Sequence, residues 1–280
     1  MKNRPIEEIK SKLSNKLPSG LINKIPDKWE KIGDILILVL PNCLYKYKEN
    51  IGKIYSEILH CKTVLNYKVG IIGEFRIPKA EIIYGEKNTT TIHKENGIKY
   101  KIDPCEIMFS SGNMDERIRM SNISNSTETV VDLFAGIGYF TLPIAFYGKP
   151  KKVIAVEKNP NAYKFLQTNI VLNNVVDIVE PIFGDNRIVT PKGIADRVIM
   201  GYIGDTEKFL DTAISCLKDN CGIIHFHDKF PSKNVPDVPL KKIRLIVEKY
   251  NRNVALMDFK CVKSYAPGIG HYVFDLEIED

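Results

Sequence analysis

No stretch of this 280-residue chain stays apolar long enough to cross a bilayer, and the longest candidate, Ile35 to Leu40, has the length of a strand. No signal-peptide apolar stretch follows the N-terminal residues either. A cytoplasmic protein without a membrane partner is expected. The six cysteines, at 43, 61, 105, 216, 221 and 261, contain no Cys-x-x-Cys pair. That spacing argues against zinc and against a disulfide framework, so no metal is expected. The thiols read as small buried hydrophobes and surface groups. Repeats and low-complexity tracts are absent. What remains is an ordinary globular chain, 44% apolar, with enough length for two modest domains.

Charge is unevenly spread. Residues 1–103 hold 19 Lys and Arg against 12 Asp and Glu, a net +7, whereas 104–280 hold 21 against 22, a net −1. The whole positive excess sits in the N-terminal part. This fits either a surface that meets a polyanion or a lysine-rich solvated face. Lys46, Lys48 and Lys53 are candidate phosphate contacts.

Periodicity separates the same two regions. In 1–103, apolar spacing predicts helices over 6–17 and 49–60 and strands at 34–40, 63–67, 81–84 and 89–93. Glu95-Asn96-Gly97, between alternating runs, predicts a hairpin turn with positive φ angles. The first 103 residues therefore read as a small α+β domain. A helix is expected over 114–122. Beyond it, strands near 130, 152–157, 178–183, 195–200 and 222–226 alternate with helical stretches, including 206–219 and 240–250. Asn159-Pro160 has the form of a polar cap with proline at the first helical position. Residues 254–262 and 271–278 alternate around Pro267-Gly268 and read as an antiparallel closing pair. The expected fold of 104–280 is α/β, a Rossmann-like sheet of five parallel strands plus that pair.

The third glycine of a dinucleotide fingerprint is missing. Asp132-Leu133-Phe134-Ala135-Gly136-Ile137-Gly138 runs from a strand into a two-glycine turn, and Thr141 stands where Gly-x-Gly-x-x-Gly would end. Asp132 would also set a carboxylate against a pyrophosphate. About twenty residues on, Glu157 ends the second strand, where an acid commonly holds a ribose diol. S-adenosylmethionine has a ribose, an ammonium and a sulfonium, and no phosphate, so acids suit it. Two glycines alone also occur in turns that only pack; the acid at the second strand end favours the nucleoside.

Other strand ends converge on the same crevice. Asp185 either accepts the adenine amino group, with Asn186 alongside, or caps a turn. Phe134 and Tyr202 either sandwich or floor the purine, or pack in the core. His225 and His227 either touch the acceptor or are satisfied structural histidines. The fourth-strand loop, Met200-Gly201-Tyr202-Ile203-Gly204, lacks the Asn-Pro-Pro-Tyr of exocyclic-amine methylases and the cysteine of cytosine C5 methylases.

Together, Asp132 to Pro143, Glu157 to Tyr163, Gly184-Asp185-Asn186, Met200 to Gly204, Gly73-Glu74-Phe75-Arg76-Ile77-Pro78 and Phe109 to Arg117 resemble the archaeal wybutosine-synthesis tRNA aminocarboxypropyltransferases. The resemblance runs from about residue 70 to the C-terminus. The sister tRNA guanine-N1 methyltransferases usually carry Asn-x-Pro in the fourth-strand loop and arginine after Phe-Ser-Pro. This chain has neither feature. The resemblance implies transfer of the 3-amino-3-carboxypropyl group of S-adenosylmethionine to carbon 7 of 4-demethylwyosine in phenylalanine tRNA, releasing methylthioadenosine. It implies Ser110 and Arg117 as holders of the donor's amino-acid end. By carry-over from the sister enzymes it implies Arg76 as the group opposing charge on the acceptor and Glu116 as base; otherwise Arg76 reads as a phosphate contact and Glu116 as a helix salt bridge with Arg119 or a lysine one turn away. Residues 1–103 become a tRNA-docking domain and 104–280 the donor-binding catalytic domain; no protein partner is implied. Guanine-N1 methylation, a small-molecule methyltransferase and a non-catalytic tRNA-binding factor are the competing readings.

Overall fold

The computed structural model describes residues 4–280, with 69–72 described in backbone alone. The chain divides into two compact units. One runs to Glu95 and resumes over Lys99–Ser111; the other comprises Asn96–Ile98 and Gly112–Asp280.

The first unit holds a sheet in the order β1 (Glu30–Ile32), β2 (Ile35–Leu38), β3 (Thr63–Ile72), β4 (Ile77–Gly85). All four residues of β2 are buried, as a continuous Ile-Leu-Ile-Leu run requires. The Lys48–Leu59 helix makes the crossover between the parallel strands β2 and β3, burying Ile51, Ile54 and Tyr55 at helical spacing. The Pro5–Leu13 helix starts on its proline and ends short of the expected Leu17. Leu17 still reaches the core, from a loop, which is why periodicity counted it. The chain's one tryptophan, Trp29, meets Tyr55 edge-on at 6.0 Å in this unit. Strands β3 and β4 run well past the expected 63–67 and 81–84. Their ladder slips register between Lys68 and Ile71, which destroys the alternation a sequence pattern follows. The hairpin at Asn96-Gly97 forms as expected, with both residues at positive φ, joining β5 (Thr91–Glu95) to β6 (Ile98–Ile102).

The second unit carries a seven-stranded sheet: β7 (Thr129–Asp132), β8 (Lys152–Glu157), β9 (Val179–Phe183), β10 (Arg197–Met200), β11 (Gly222–Pro231), β12 (Asn253–Ala266) and β13 (Ile269–Glu279), in the order β12-β13-β11-β10-β7-β8-β9. β7 to β11 are parallel and β12–β13 close the sheet antiparallel, so the expected architecture is borne out. Its core joins Val131, Val156, Val198, Phe226, Phe274 and the apolar faces of the Leu210–Cys216 and Asp237–Val247 helices.

Several elements differ from expectation. β11 continues five residues past Phe226, because from His227 on it pairs with β13 alone, as far as Pro231↔Ile269. The stretch expected as one helix over 206–219 is a 3₁₀ turn, Thr206–Phe209, and a helix, Leu210–Cys216. Leu217 turns extended and bridges to Ala195, so its burial comes from sheet contact. After the glycine turn the helix is one turn, Thr141–Pro143, followed by a π turn over Ile144–Gly148. Among the described residues, no helix is long and apolar enough to cross a membrane and no His, Cys, Asp and Glu cluster could hold a metal.

Candidate donor-binding and catalytic site

Asp132 is the last residue of β7 and Glu157 the last of β8; Asp185 follows β9 and Gly201 follows β10. The order β10-β7-β8-β9 sets these ends side by side. Gly136 and Gly138, at φ +57° and +102°, turn the chain after β7; a Cβ on Gly136 would strike the Tyr139 ring at 2.6 Å.

Each predicted residue of the second unit has a definite place. Asp132 is fully buried, accepting from Thr141 Oγ1 at 2.7 Å and from the Phe134 amide at 3.1 Å. Its carboxylate shapes the turn. Burial pushes its pKa up to about 6, against the pull of those hydrogen bonds. Glu157 accepts from the Gly136 amide at 2.7 Å through one oxygen and from the Asn159 amide at 2.6 Å through the other. Burial raises its pKa, and the Asp132 charge adds to the effect. Asn159 caps the Pro160–Leu172 helix as its sequence suggests, accepting from the Asn161 and Ala162 amides.

Asp185 caps the short Asn186–Val189 helix. Its carboxylate receives Arg187 Nε at 2.9 Å and Nη2 at 2.6 Å, with Lys158 Nζ at 3.1 Å. Arg187 above all holds its pKa well below the usual range. The capping alternative is therefore realised. Asn186 donates to the Leu133 carbonyl at 2.8 Å, while its buried Oδ1 has no hydrogen-bond partner. Phe134 and Tyr202 stack on each other, centroids 4.9 Å apart and planes 17° apart, with Phe209 edge-on. With the rings face to face, no purine fits between them. They make a plate, not a sandwich. Asp228, buried on the extension of β11, fixes the loop carrying Tyr202: its carboxylate accepts from the Gly204 and Thr206 amides at 2.8 and 2.9 Å.

Glu116 and Arg117 lie on the Met114–Met120 helix, both buried. Arg119, two positions past the pair, grips Glu116 with Nε and Nη2 and reaches Asp275 on β13 with Nη1 at 2.5 Å. Asp275 in turn meets His225 Nδ1 at 2.6 Å, and His225 Nε2 meets Arg197 Nη1 at 2.8 Å. A guanidinium only donates, so His225 Nε2 accepts and Nδ1 carries the proton. Arg197 ends the chain on Glu128. His225 is thus a satisfied structural histidine. His227 lies 3.7 Å from Glu116 through Nε2, contacts His271 at 3.1 Å through Nδ1 and stacks on Phe140. Burial first, then the neighbouring His271 and His225, hold its pKa well below the ordinary value.

Arg76 and Ser110 belong to the first unit. Arg76 closes the β3–β4 turn in the left-handed region, φ +55°, its amide donating to Gly73 O, and its buried Nε lacks a hydrogen-bond partner. Ser110 is half-buried at the end of that unit. The Glu116–Arg119 pair, three apart on one helix, is the salt bridge that the sequence offered as Glu116's alternative role. Sequence reasoning missed Asp275, Asp228 and the bond from Thr141 to Asp132; Asp275 lies 156 positions from Arg119, and no local spacing announces such a pair.

The donor set suits the nucleoside. Glu157 sets a carboxylate at the end of the second strand, Asn186 Oδ1 is an unspent buried acceptor, and the aromatic plate adjoins the same strand ends. This sheet order, with a two-glycine turn after its first strand and an acid ending the second, defines a transferase of the adenosylmethionine-dependent class. The description "TRM5/TYW2 methyltransferase domain" matches residues 91–256, and "TYW2 N-terminal domain" matches residues 9–89. The chain belongs to the TRM5/TYW2 family. It is 45% identical over 270 residues, 96% of both chains, to the tRNA(Phe) (4-demethylwyosine(37)-C(7)) aminocarboxypropyltransferase of Pyrococcus horikoshii. The crystal structure of P. horikoshii TYW2 in complex with MeSAdo superposes with a TM-score of 0.89 at 43% identity, covering 98% of this chain and 99% of that one. The tRNA (guanine(37)-N(1))-methyltransferase Trm5b of Pyrococcus abyssi is 35% identical over 264 residues, 94% of this chain and 78% of its own.

Proposed function

We propose that this protein transfers the 3-amino-3-carboxypropyl group of S-adenosylmethionine to carbon 7 of 4-demethylwyosine in phenylalanine tRNA. The observation that carries this reading is the 45% identity over nearly the full length to an aminocarboxypropyltransferase, ten points above the guanine-N1 methyltransferase. The Gly201-Tyr202-Ile203-Gly204 loop, without the Asn-x-Pro of the sister family, supports it.

The chemistry is a displacement. Carbon 7 attacks the γ-carbon of the donor's amino-acid arm, the γ-carbon–sulfur bond breaks with its electrons passing to sulfur, and methylthioadenosine leaves. Carbon 7 then gives up its proton. Any of the three carbons on a sulfonium can be attacked, so the enzyme selects by orientation, and positioning supplies roughly 7–11 kcal/mol of such barriers. Glu157 and Asn186 hold the ribose and adenine, while Asp132 and Gly136 act through the shape of the turn. The Phe134–Tyr202 plate floors the purine, and Asp185 sets the turn beside it. Ser110 and Arg117 orient the donor's carboxylate and ammonium. Glu116 receives the carbon 7 proton, its carboxylate aimed by Arg119. Arg76 opposes charge developing on the acceptor. Residues 1–103 dock the tRNA and 104–280 hold the donor, and the reading carries a cytoplasmic location with it.

Incubating the enzyme with donor and tRNA bearing 4-demethylwyosine tests this. Methylthioadenosine should accumulate in step with modified tRNA. Adenosylhomocysteine without methylthioadenosine would mean methyl transfer. Tight donor binding with no consumption on any tRNA would mean a binding factor.

A further inference from the structure

A cavity of about 770 Å³ opens in the first unit between the Gly33-Asp34 turn and the β5–β6 hairpin. Lys31, Lys62, Lys94, Lys101 and His93 line it, against one carboxylate, Asp34. Its floor is fixed by backbone contacts. The Gly33 amide donates to His93 Nδ1 at 3.2 Å, so the neutral ring carries its proton on Nε2. The Asp34 amide donates to Thr91 Oγ1 at 3.2 Å. Gly33 sits at φ +58°, and a Cβ there would meet Thr91 Oγ1 at 2.1 Å.

Two of the lysines are part of that floor. Lys31 Nζ donates to the carbonyls of Leu59 and His60 at 2.7 and 3.2 Å, closing the C-terminal end of the Lys48–Leu59 helix. Lys62 Nζ donates to Thr90 O at 2.9 Å and lies 3.6 Å from Asp34. Carbonyls cancel no charge, and the four lysines and one aspartate of the lining sum to a formal charge of +3. Lys94 stands exposed on the hairpin, and Lys101 is half-buried.

The geometry points to this cavity as a binding site for the sugar-phosphate backbone of RNA. The volume lies in the range of whole-ligand pockets, roughly 300–1,000 Å³, and exceeds what one phosphate fills. The cations are lysines, point charges that accept a phosphate from many directions, and no arginine fork is present to fix a small carboxylate. Half-exposed Ile92 offers an apolar patch for a sugar face. The lining therefore suits contacts that position a nucleic acid without reading its bases. Lys48, on the helix first suspected, is committed to Glu81 at 2.5 Å and to Tyr45.

This inference rests on the tRNA reading above, and its test separates the two. Lys94→Glu/Lys101→Glu is compared with wild type and with Lys46→Glu/Lys53→Glu, all checked for folding by circular dichroism. tRNA affinity is measured across a potassium chloride series. The cavity variant should bind tRNA on the order of tenfold more weakly at low salt, with a log–log salt slope flatter by about 1–2. Donor affinity and turnover at saturating tRNA should stay within about twofold, and Lys94→Gln/Lys101→Gln should fall between it and wild type. Wild-type affinity and slope in the cavity variant would overturn the proposal while leaving the tRNA reading standing. So would inorganic phosphate shifting the His93 ring signals while tRNA binding ignores the variants, since the site would then serve a free anion. Failure of the wild-type protein to bind tRNA would instead remove the reading itself.

Discussion

Glu157 accepts one backbone amide through each carboxylate oxygen, which ties the glycine turn to the start of the next helix. The same residue is the one assigned to the ribose diol. Glu157→Ala should therefore weaken donor binding by about 1–3 kcal/mol, through the lost charged acceptor and the released turn. Calorimetric titration with S-adenosylmethionine measures this, and unchanged affinity would contradict the assignment. Asp132 works differently. Its folded pKa, about 6, lies above the ordinary 3.8, so the unfolded chain loses this proton first as pH rises. Its contribution is fully favourable below pH 4 and declines as pH climbs from about 4 to about 6, by about 3 kcal/mol. Asp132→Asn can still accept from the Phe134 amide and donate to Thr141. The variant should gain on wild type across that window in urea titrations; a stability difference flat with pH would show that Asp132 titrates normally.

At the scale of elements, the buried ion network fastens the Met114–Met120 helix to the closing strands. Asp275 on β13 is the hinge of that network, shared by Arg119 and His225. Burial alone would raise its pKa, yet His225 and Arg119 hold it well below the usual range. Removing it leaves Arg119 on Glu116 alone and takes the acceptor from buried His225 Nδ1, so Asp275→Ala should cost about 1–3 kcal/mol in chemical denaturation. A loss under about 0.5 kcal/mol would mean that solvent replaces Asp275 as the partner of Arg119 and His225. The parallel strands were legible because they are short apolar runs ended by turn residues, and Asp132, Glu157 and Asp185 were found at their ends. Of the network only the Glu116–Arg119 pair was legible, at helical spacing; Asp275 and His225 join it from two other elements. Nor was the capping role of Asp185 distinguishable in advance, because a strand-end aspartate has the same spacing in either role. Leu217 misled for a related reason: helical and sheet burial leave the same apolar residue in the sequence.

At the scale of the whole molecule, two units divide the labour that composition hinted at. The basic excess and the lysine-lined cavity belong to the first; the carboxylates and the aromatic plate belong to the second. Trp29, edge-on to Tyr55, sits in the first unit only. Its indole is thus a built-in optical reporter: ultraviolet emission tracks the integrity of that core and is blind to tyrosine-lined surroundings elsewhere. Glu157→Ala should leave the native emission maximum where it is, and a red-shifted spectrum would reveal damage transmitted across the chain. Engineers of this protein can therefore watch one half melt without attaching a dye.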